Sequence, residues 1–352
     1  MQNLPSAYTS TTLLDGTVSL SKRVFPYDAL REDTVVIKTE YLGICRADAK
    51  EIRGSRDVPQ DRGPLFGHEL VGTVCYAGSR TRFRDGETVT FNPNITPTRT
   101  TGFAEYVFVH GSEEQLEQAV VRVPEAGMGQ GAWMPEPFAC IVHAVKKLLE
   151  LAGPASLRGK RTGIVGAGCA GLMFAMYARH LGAQVTVFNR GEQRRSFARE
   201  QEILAAHETH ALADADSFRD EFDVVVVAPT IATTQILETA AGLTADGGHL
   251  LVYGGTRKGD IFPAGQADID TIRRQELIEP VSYGTKRFHL TGAYGCFKED
   301  YEDGFRLRAE HPEAFPLERL ASRSIGLHEF PELIMDIAAG ATDHPGKVLI
   351  RI

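Results

Sequence analysis

Apolar residues in the first third of the chain recur with the two-residue period of half-buried strands. Thr34-Val-Val-Ile-Lys-Thr-Glu-Tyr41 alternates, Leu70-Val-Gly-Thr-Val-Cys75 is apolar, Glu87-Thr-Val-Thr-Phe91 alternates again, and Ala104-Glu-Tyr-Val-Phe-Val109 adds a short strand. From Ala139 to Leu151 the spacing becomes helical and stops at Gly153-Pro154. Strands and helices then take turns. Arg161–Val165 reads as a strand, Ala170–Leu181 as a helix, Gln184–Phe188 as a strand, and a charged helix follows through Glu202. Phe222–Ala228 is almost continuously apolar, as expected of a strand covered on both faces, and Gly248–Tyr253 is a further strand. This strand–helix series predicts an α/β fold with a parallel doubly wound sheet, preceded by a β-rich part. The last sixty or so residues return to mixed structure and close with the strand Lys347–Ile352.

Composition narrows the picture. A chain of 352 residues, 43% hydrophobic and 24% charged, is an ordinary globular sequence long enough for about two domains. A net charge of −8 argues against nucleic acid or an anionic membrane as the main partner. The first residues lack a basic start followed by an apolar run, and no segment is apolar for long enough to span a bilayer, so a cytoplasmic location is expected. Five cysteines, widely spaced and without a Cys-x-x-Cys pair, are no disulfide framework and fit a reducing compartment.

The chemistry begins with a glycine-rich turn. Gly166-Ala-Gly168-Cys-Ala-Gly171 follows a predicted strand and opens a predicted helix. The first glycine permits the tight turn, the second lets backbone approach a pyrophosphate, and the third lets helix and strand pack closely. Free N–H groups at the helix start favour the anion. The next strand ends in Asn189-Arg190, with Arg194 and Arg195 close behind. An acid at the position of Asn189 would accept from the ribose 2′-hydroxyl of NAD; an amide removes the repulsion against a 2′-phosphate, and guanidinium groups attract one. The expected cofactor is therefore NADP(H) rather than NAD(H).

Upstream, Cys45 in Leu-Gly-Ile-Cys-Arg-Ala-Asp and His68 in Phe-Gly-His-Glu are good zinc ligands, and Glu136 in Met-Pro-Glu-Pro-Phe offers a third. Three protein ligands with one open position is the layout of a catalytic zinc.

Here the chain resembles the zinc-dependent medium-chain dehydrogenases, the family of alcohol, sorbitol and polyol dehydrogenases. The segments that carry the resemblance are Gly43-Ile-Cys45-Arg-Ala-Asp48, Gly67-His68-Glu69, Gly102-Phe-Ala-Glu-Tyr, Glu136-Pro-Phe-Ala, the glycine fingerprint and Leu290-Thr-Gly-Ala-Tyr-Gly295, which span almost the whole chain in order. The resemblance implies a GroES-like catalytic domain from residues 1–146 and 294–352 around a Rossmann domain of residues 147–293. It implies Cys45, His68 and Glu136 as ligands of the zinc, Asp48 as the acceptor that orients the His68 ring, and Glu69 as a carboxylate that faces or enters the metal shell. Gly254, after the strand ending at Tyr253, would line the nicotinamide side. Trp133, Phe138 and Tyr294 are candidate walls of the substrate pocket.

Two departures stand out. Where the family usually has a Ser or Thr that relays the substrate proton, this chain has Ala47, so the proton must travel by water, Glu69 or Lys50. Where many members carry four cysteines around a structural zinc, this chain has Asn92-Pro-Asn-Ile-Thr-Pro-Thr-Arg-Thr-Thr101, so one catalytic zinc per chain is expected. The expected function is a zinc- and NADP(H)-dependent oxidoreductase acting on a secondary alcohol or ketone: a polyol, sugar phosphate or cyclitol. A zinc-free quinone or enoyl reductase, and a nucleotide binder that has lost catalysis, are the rival readings. A homodimer or homotetramer is expected from the family.

Overall fold

The computed structural model describes residues 4–55, 66–95, 97–124, 134–152, 157–263 and 267–352. In chain order, β1 (Ala7–Leu14) and β2 (Thr17–Val24) form a hairpin, followed by β3 (Thr34–Ile44), α1 (Arg46–Ile52), β4 (Glu69–Ala77), β5 (Thr88–Phe91), β6 (Thr98–Arg99), β7 (Tyr106–His110), α2 (Glu113–Ala119), β8 (Val120–Arg122) and α3 (Pro135–Ala152). The middle of the chain holds β9 (Arg161–Val165), α4 (Cys169–His180), β10 (Gln184–Asn189), α5 (Glu192–Glu200), β11 (Thr209–Ala211), β12 (Phe222–Val227), α6 (Thr234–Leu243), β13 (Thr244–Val252), α7 (Ile269–Gln275), β14 (Ile278–Tyr283) and β15 (Lys286–Gly292). The chain closes with α8 (Lys298–Glu310), β16 (Ala321–Gly326), α9 (Phe330–Ala339) and β17 (Lys347–Arg351). The predicted helix stop at Gly153-Pro154 and the candidate wall Trp133 lie outside the described residues.

Two compact units result. One contains residues 1–139, 296–310 and 321–352; the other contains residues 140–295 and 311–320. In the first, strands run in the order β16-β17-β3-β4-β5-β8, with β7 also pairing β3 and β6 pairing β7. β3 pairs antiparallel with β4 along most of its length, and with β7 at residues 34–38 and β17 at residues 41–44. It does not read as a simple half-buried strand, because Val35, Val36 and Ile37 are all buried. Val35 and Ile37 join the main core, whereas Val36 packs under a second cluster of Tyr8, Phe25 and Phe108 supplied by the N-terminal hairpin and β7. A strand covered on both faces loses its alternation.

The second unit is a seven-stranded sheet in the order β11-β10-β9-β12-β13-β15-β14, parallel throughout except for the edge pair β14–β15. Numbered within the unit, its parallel strands follow the 3-2-1-4-5-6 order of a doubly wound dinucleotide fold. Val225, Val227, Leu250, Val252, Phe288 and Leu290 on the central strands pack with Leu237 and Ala241 of α6 in its core. The segment 311–320 corrects the expected boundary, which had given 294–352 to the other domain in one piece. Its Phe315 is fully buried, edge-on to Tyr177 of α4 at 5.6 Å, while Arg319 donates to the Gln201 carbonyl at 3.2 Å. Burial of that phenyl ring ties the segment to the second unit.

Candidate metal and cofactor sites

The metal site is assembled around one carboxylate. Cys45 follows β3 in extended conformation and caps α1. Three residues on, Asp48 is wholly buried and turns back, so that its Oδ2 accepts the Cys45 N–H at 2.8 Å. Its Oδ1 accepts the Gly67 N–H at 3.1 Å and faces His68 Nδ1 at 3.4 Å. A single side chain thus positions both candidate ligands and leaves His68 Nε2 for the metal side, the usual work of a carboxylate behind a ligating histidine. Burial alone would raise the Asp48 pKa, but the His68 charge and hydrogen bonds from His68, Cys45 and Gly67 bring it below the ordinary value. For His68 burial acts downward, and Asp48 and Cys45 more than reverse it, holding the imidazole well above its usual value.

The loop that carries His68 is held tightly. Gly67 has a positive φ of 71°, which favours glycine. Gly102 lies against it so closely that a Cβ there would strike the Gly67 carbonyl oxygen. Phe66 packs on Phe103 at 4.8 Å, and Phe103 stacks on Phe330 of α9 at 4.1 Å, which anchors the loop from the apolar side. Arg99 of β6 donates to the Gly67 carbonyl at 3.2 Å.

Among the described residues, the ligand atoms of Cys45, His68 and Glu69 lie within 4.8 Å of one another. A thiolate, an imidazole and a carboxylate converging on one point are a fitting donor set for zinc. Glu69 begins β4 opposite Gly43 of β3, where any side chain would collide with its carboxylate. Both Glu69 oxygens are met by Lys347 Nζ of β17, at 2.6 and 2.7 Å, and both side chains are nearly buried. Sequence reasoning missed Lys347: it stands 278 positions from Glu69, and no local pattern marks it. Glu136, expected as the third ligand, is buried in the first turn of α3 and stands outside that three-residue group. Lys50 is half-buried in the last turn of α1, and the backbone N–H of Ala47 points at Cys45 Sγ at 3.5 Å.

In the other unit, β9 runs into the glycine turn and α4. Gly166 has a φ of 109°, and a Cβ on Gly171 would collide with the Gly166 carbonyl oxygen. Gly168 caps α4 and has an Arg194 guanidinium nitrogen beside it. Asn189, at the end of β10, is engaged on both sides: its Oδ1 accepts the Ala167 N–H at 3.1 Å, and its Nδ2 donates to the Gly191 carbonyl at 2.8 Å. Arg195 donates to the Asn189 carbonyl at 2.9 Å and pairs with Glu192, which also takes Arg199. Those hydrogen bonds from Arg199, Arg195 and Ser196 bring the Glu192 carboxyl down to about 2. Arg195 is thereby committed within α5, while Arg190 is exposed and Arg194 half-buried beside the turn. Gly254, past the end of β13, sits against Pro229, where a Cβ would collide with the Pro229 carbonyl oxygen. Phe138 is fully buried in α3; Tyr294 is 40% exposed beneath the guanidinium groups of Arg273 and Arg274.

Parts of the chain match known families. Residues 31–135 match the alcohol dehydrogenase GroES-like domain, and residues 161–210 match the pyridine nucleotide-disulphide oxidoreductase family. An uncharacterized zinc-type alcohol dehydrogenase-like protein of Escherichia coli is 26% identical over 294 residues, covering 74% of this chain and 80% of that protein. A D-arabitol-phosphate dehydrogenase of Enterococcus avium is 29% identical over 181 residues, 44% of this chain and 47% of the relative. Among solved structures, one assigned as a zinc-binding dehydrogenase of Sinorhizobium meliloti, bound to NADP, superposes with a TM-score of 0.73 at 21% identity, covering 99% of this chain and all of that one.

Proposed function

Because the chain belongs to the zinc-dependent medium-chain dehydrogenase/reductase family, we propose that it is an NADP(H)-linked polyol or polyol-phosphate dehydrogenase with one catalytic zinc. The oxidoreductase class comes with the family. The finer reading rests on the Cys45–His68–Glu69 cluster organised by Asp48, with Asn189 where an NAD-selective site would have an acid. The D-arabitol-phosphate dehydrogenase relative supports a polyol phosphate as substrate class.

Cys45 and His68 would hold the metal together with a carboxylate, Glu69 or Glu136, and zinc bound there would supply Lewis-acid polarisation of an alcohol or carbonyl oxygen. The protein's own residues do the rest. Asp48 keeps the proton on His68 Nδ1 and the ring in orientation. Ala47 offers no hydroxyl, so the substrate proton is assigned to the Glu69 carboxylate, whose charge Lys347 balances. Lys50 is the second candidate for that step. On the nucleotide side the α4 N-terminus and Arg194 would receive the phosphates, and Arg190, exposed just past Asn189, would meet the 2′-phosphate. A homodimer or homotetramer in the cytoplasm completes the reading. Among the described residues no helix is long and apolar enough to cross a membrane.

The test combines metal content with cofactor choice. Protein purified without chelator should hold zinc near one per chain and oxidise polyols or their phosphates with NADP⁺ well ahead of NAD⁺. Zinc near zero in an active protein would move the chain to the zinc-free reductases; a marked preference for NAD⁺ would remove the reading of Asn189.

A further inference from the structure

We infer that Arg99 is a positioning residue for the metal ligand His68, a role that rests on the zinc reading above. Arg99 lies in the segment 92–101, where the family resemblance leads one to expect cysteines of a second zinc. Instead, β6 pairs with β7 through Arg99 and Val109, and the Arg99 side chain turns inward until only 7% of the residue is exposed. Its guanidinium lies over the Phe91 ring at 4.9 Å and donates through one nitrogen to the carbonyls of Gly67, at 3.2 Å, and Thr100, at 3.1 Å.

The Gly67 carbonyl belongs to the peptide that joins Gly67 to His68. That peptide sits next to a left-handed residue, and on the same turn Asp48 Oδ1 accepts the Gly67 N–H. Asp48 therefore grips the turn from the α1 side and Arg99 from the β6 side, while Gly102 leaves room for the carbonyl between them. A carbonyl deprived of a buried donor seeks another by rotating its peptide plane. A Gly67 ψ that turns without full compensation in the His68 φ would reorient His68 and with it the imidazole that Asp48 orients. The planar guanidinium suits this place because it lies over Phe91 while one of its nitrogens donates to both carbonyls; a lysine keeps the charge and the donors but not the plane that packs on the ring.

The experiment uses the full chain, stripped of metal and titrated with zinc against a chromophoric chelator, and with cobalt(II) followed by its visible absorption. Arg99→Met is expected to weaken zinc about 10- to 100-fold, the range for loss of a ligand-orienting partner, and to change the cobalt spectrum. Arg99→Lys should lose less and keep a spectrum closer to wild type. NADPH binding should be unchanged in both variants. Wild-type affinity and spectrum in Arg99→Met would overturn the inference. Parallel loss of NADPH binding would also overturn it, because the residue would then serve only general stability. Should Arg99→Met not fold, Arg99→Lys decides: a weakened affinity with a shifted spectrum supports the role, and no change refutes it. A wild-type chain that takes up neither metal would instead bring down the zinc reading itself, and this inference with it.

Discussion

Replacing Lys347 by Met tests how the Glu69 carboxylate is divided between an internal partner and a metal. The two side chains are 11% and 1% exposed, so this is a buried pair, and screening by water does not reduce it to the small worth of a surface bridge. Removing one partner of a buried pair costs about 3–5 kcal/mol, because the other charge is left in a poor solvent. For a unit of this size about 1 kcal/mol corresponds to roughly 2–4 °C, so the transition of the stripped protein should fall by about 6–20 °C. Zinc should then recover more stability in Lys347→Met than in wild type, because the freed carboxylate becomes available as a ligand. Differential scanning calorimetry of stripped protein, with and without added zinc, reads both effects. The double variant Lys347→Met with Glu69→Gln should regain most of the loss, since neither charge remains. Losses that simply add in the double variant, or a stripped Lys347→Met that melts with wild type, would refute the reasoning.

Other outcomes follow from the same geometry. Asp48→Asn should weaken zinc about 10- to 100-fold in chelator competition, since the amide keeps one acceptor oxygen for the three groups, Cys45, Gly67 and His68, that share the carboxylate. Without metal, the raised His68 pKa stabilises the fold fully below its ordinary value of 6.5, and that contribution is lost as pH climbs through the raised value. Asp48, held below 3.8, contributes above that value and loses its contribution as pH falls through the lowered one. Denaturant unfolding of stripped protein should thus weaken from neutral towards alkaline pH, and His68→Gln should flatten that slope. Asn189→Asp should move kcat/KM from NADPH towards NADH by about tenfold or more, or about 1.4 kcal/mol, as the new carboxylate repels the 2′-phosphate; steady-state rates with both cofactors decide it.

What could be read in the sequence was what is local. The glycine turn, α4 and Asn189 lie within one short stretch, so their spacing announced the geometry. Cys45 and Asp48 are likewise three residues apart, within reach of a capping interaction. Glu192 stands three residues before Arg195, so the i,i+3 pair is legible in the sequence as well. Other features depend on contacts that no local period encodes. The second covered face of β3 is created by a hairpin that precedes it, and Lys347 reaches Glu69 from the last strand. Arg99 reads as a polar loop residue until Phe91 and the Gly67 turn are seen on either side of it.

The excursion of residues 311–320 bears on how the molecule can be taken apart. A fragment cut at the obvious ends, 140–295, would leave the nucleotide unit without Phe315 and Leu317, both essentially solvent-free in the whole chain. Tyr177 and His180 of α4 would face water where the phenyl ring had been. The helix that opens at the glycine turn is thus sealed at its far end by residues from the closing part of the chain. Any recombination, truncation or domain exchange in this protein has to carry two pieces of sequence together, and a library that moves only the central piece should return insoluble nucleotide units.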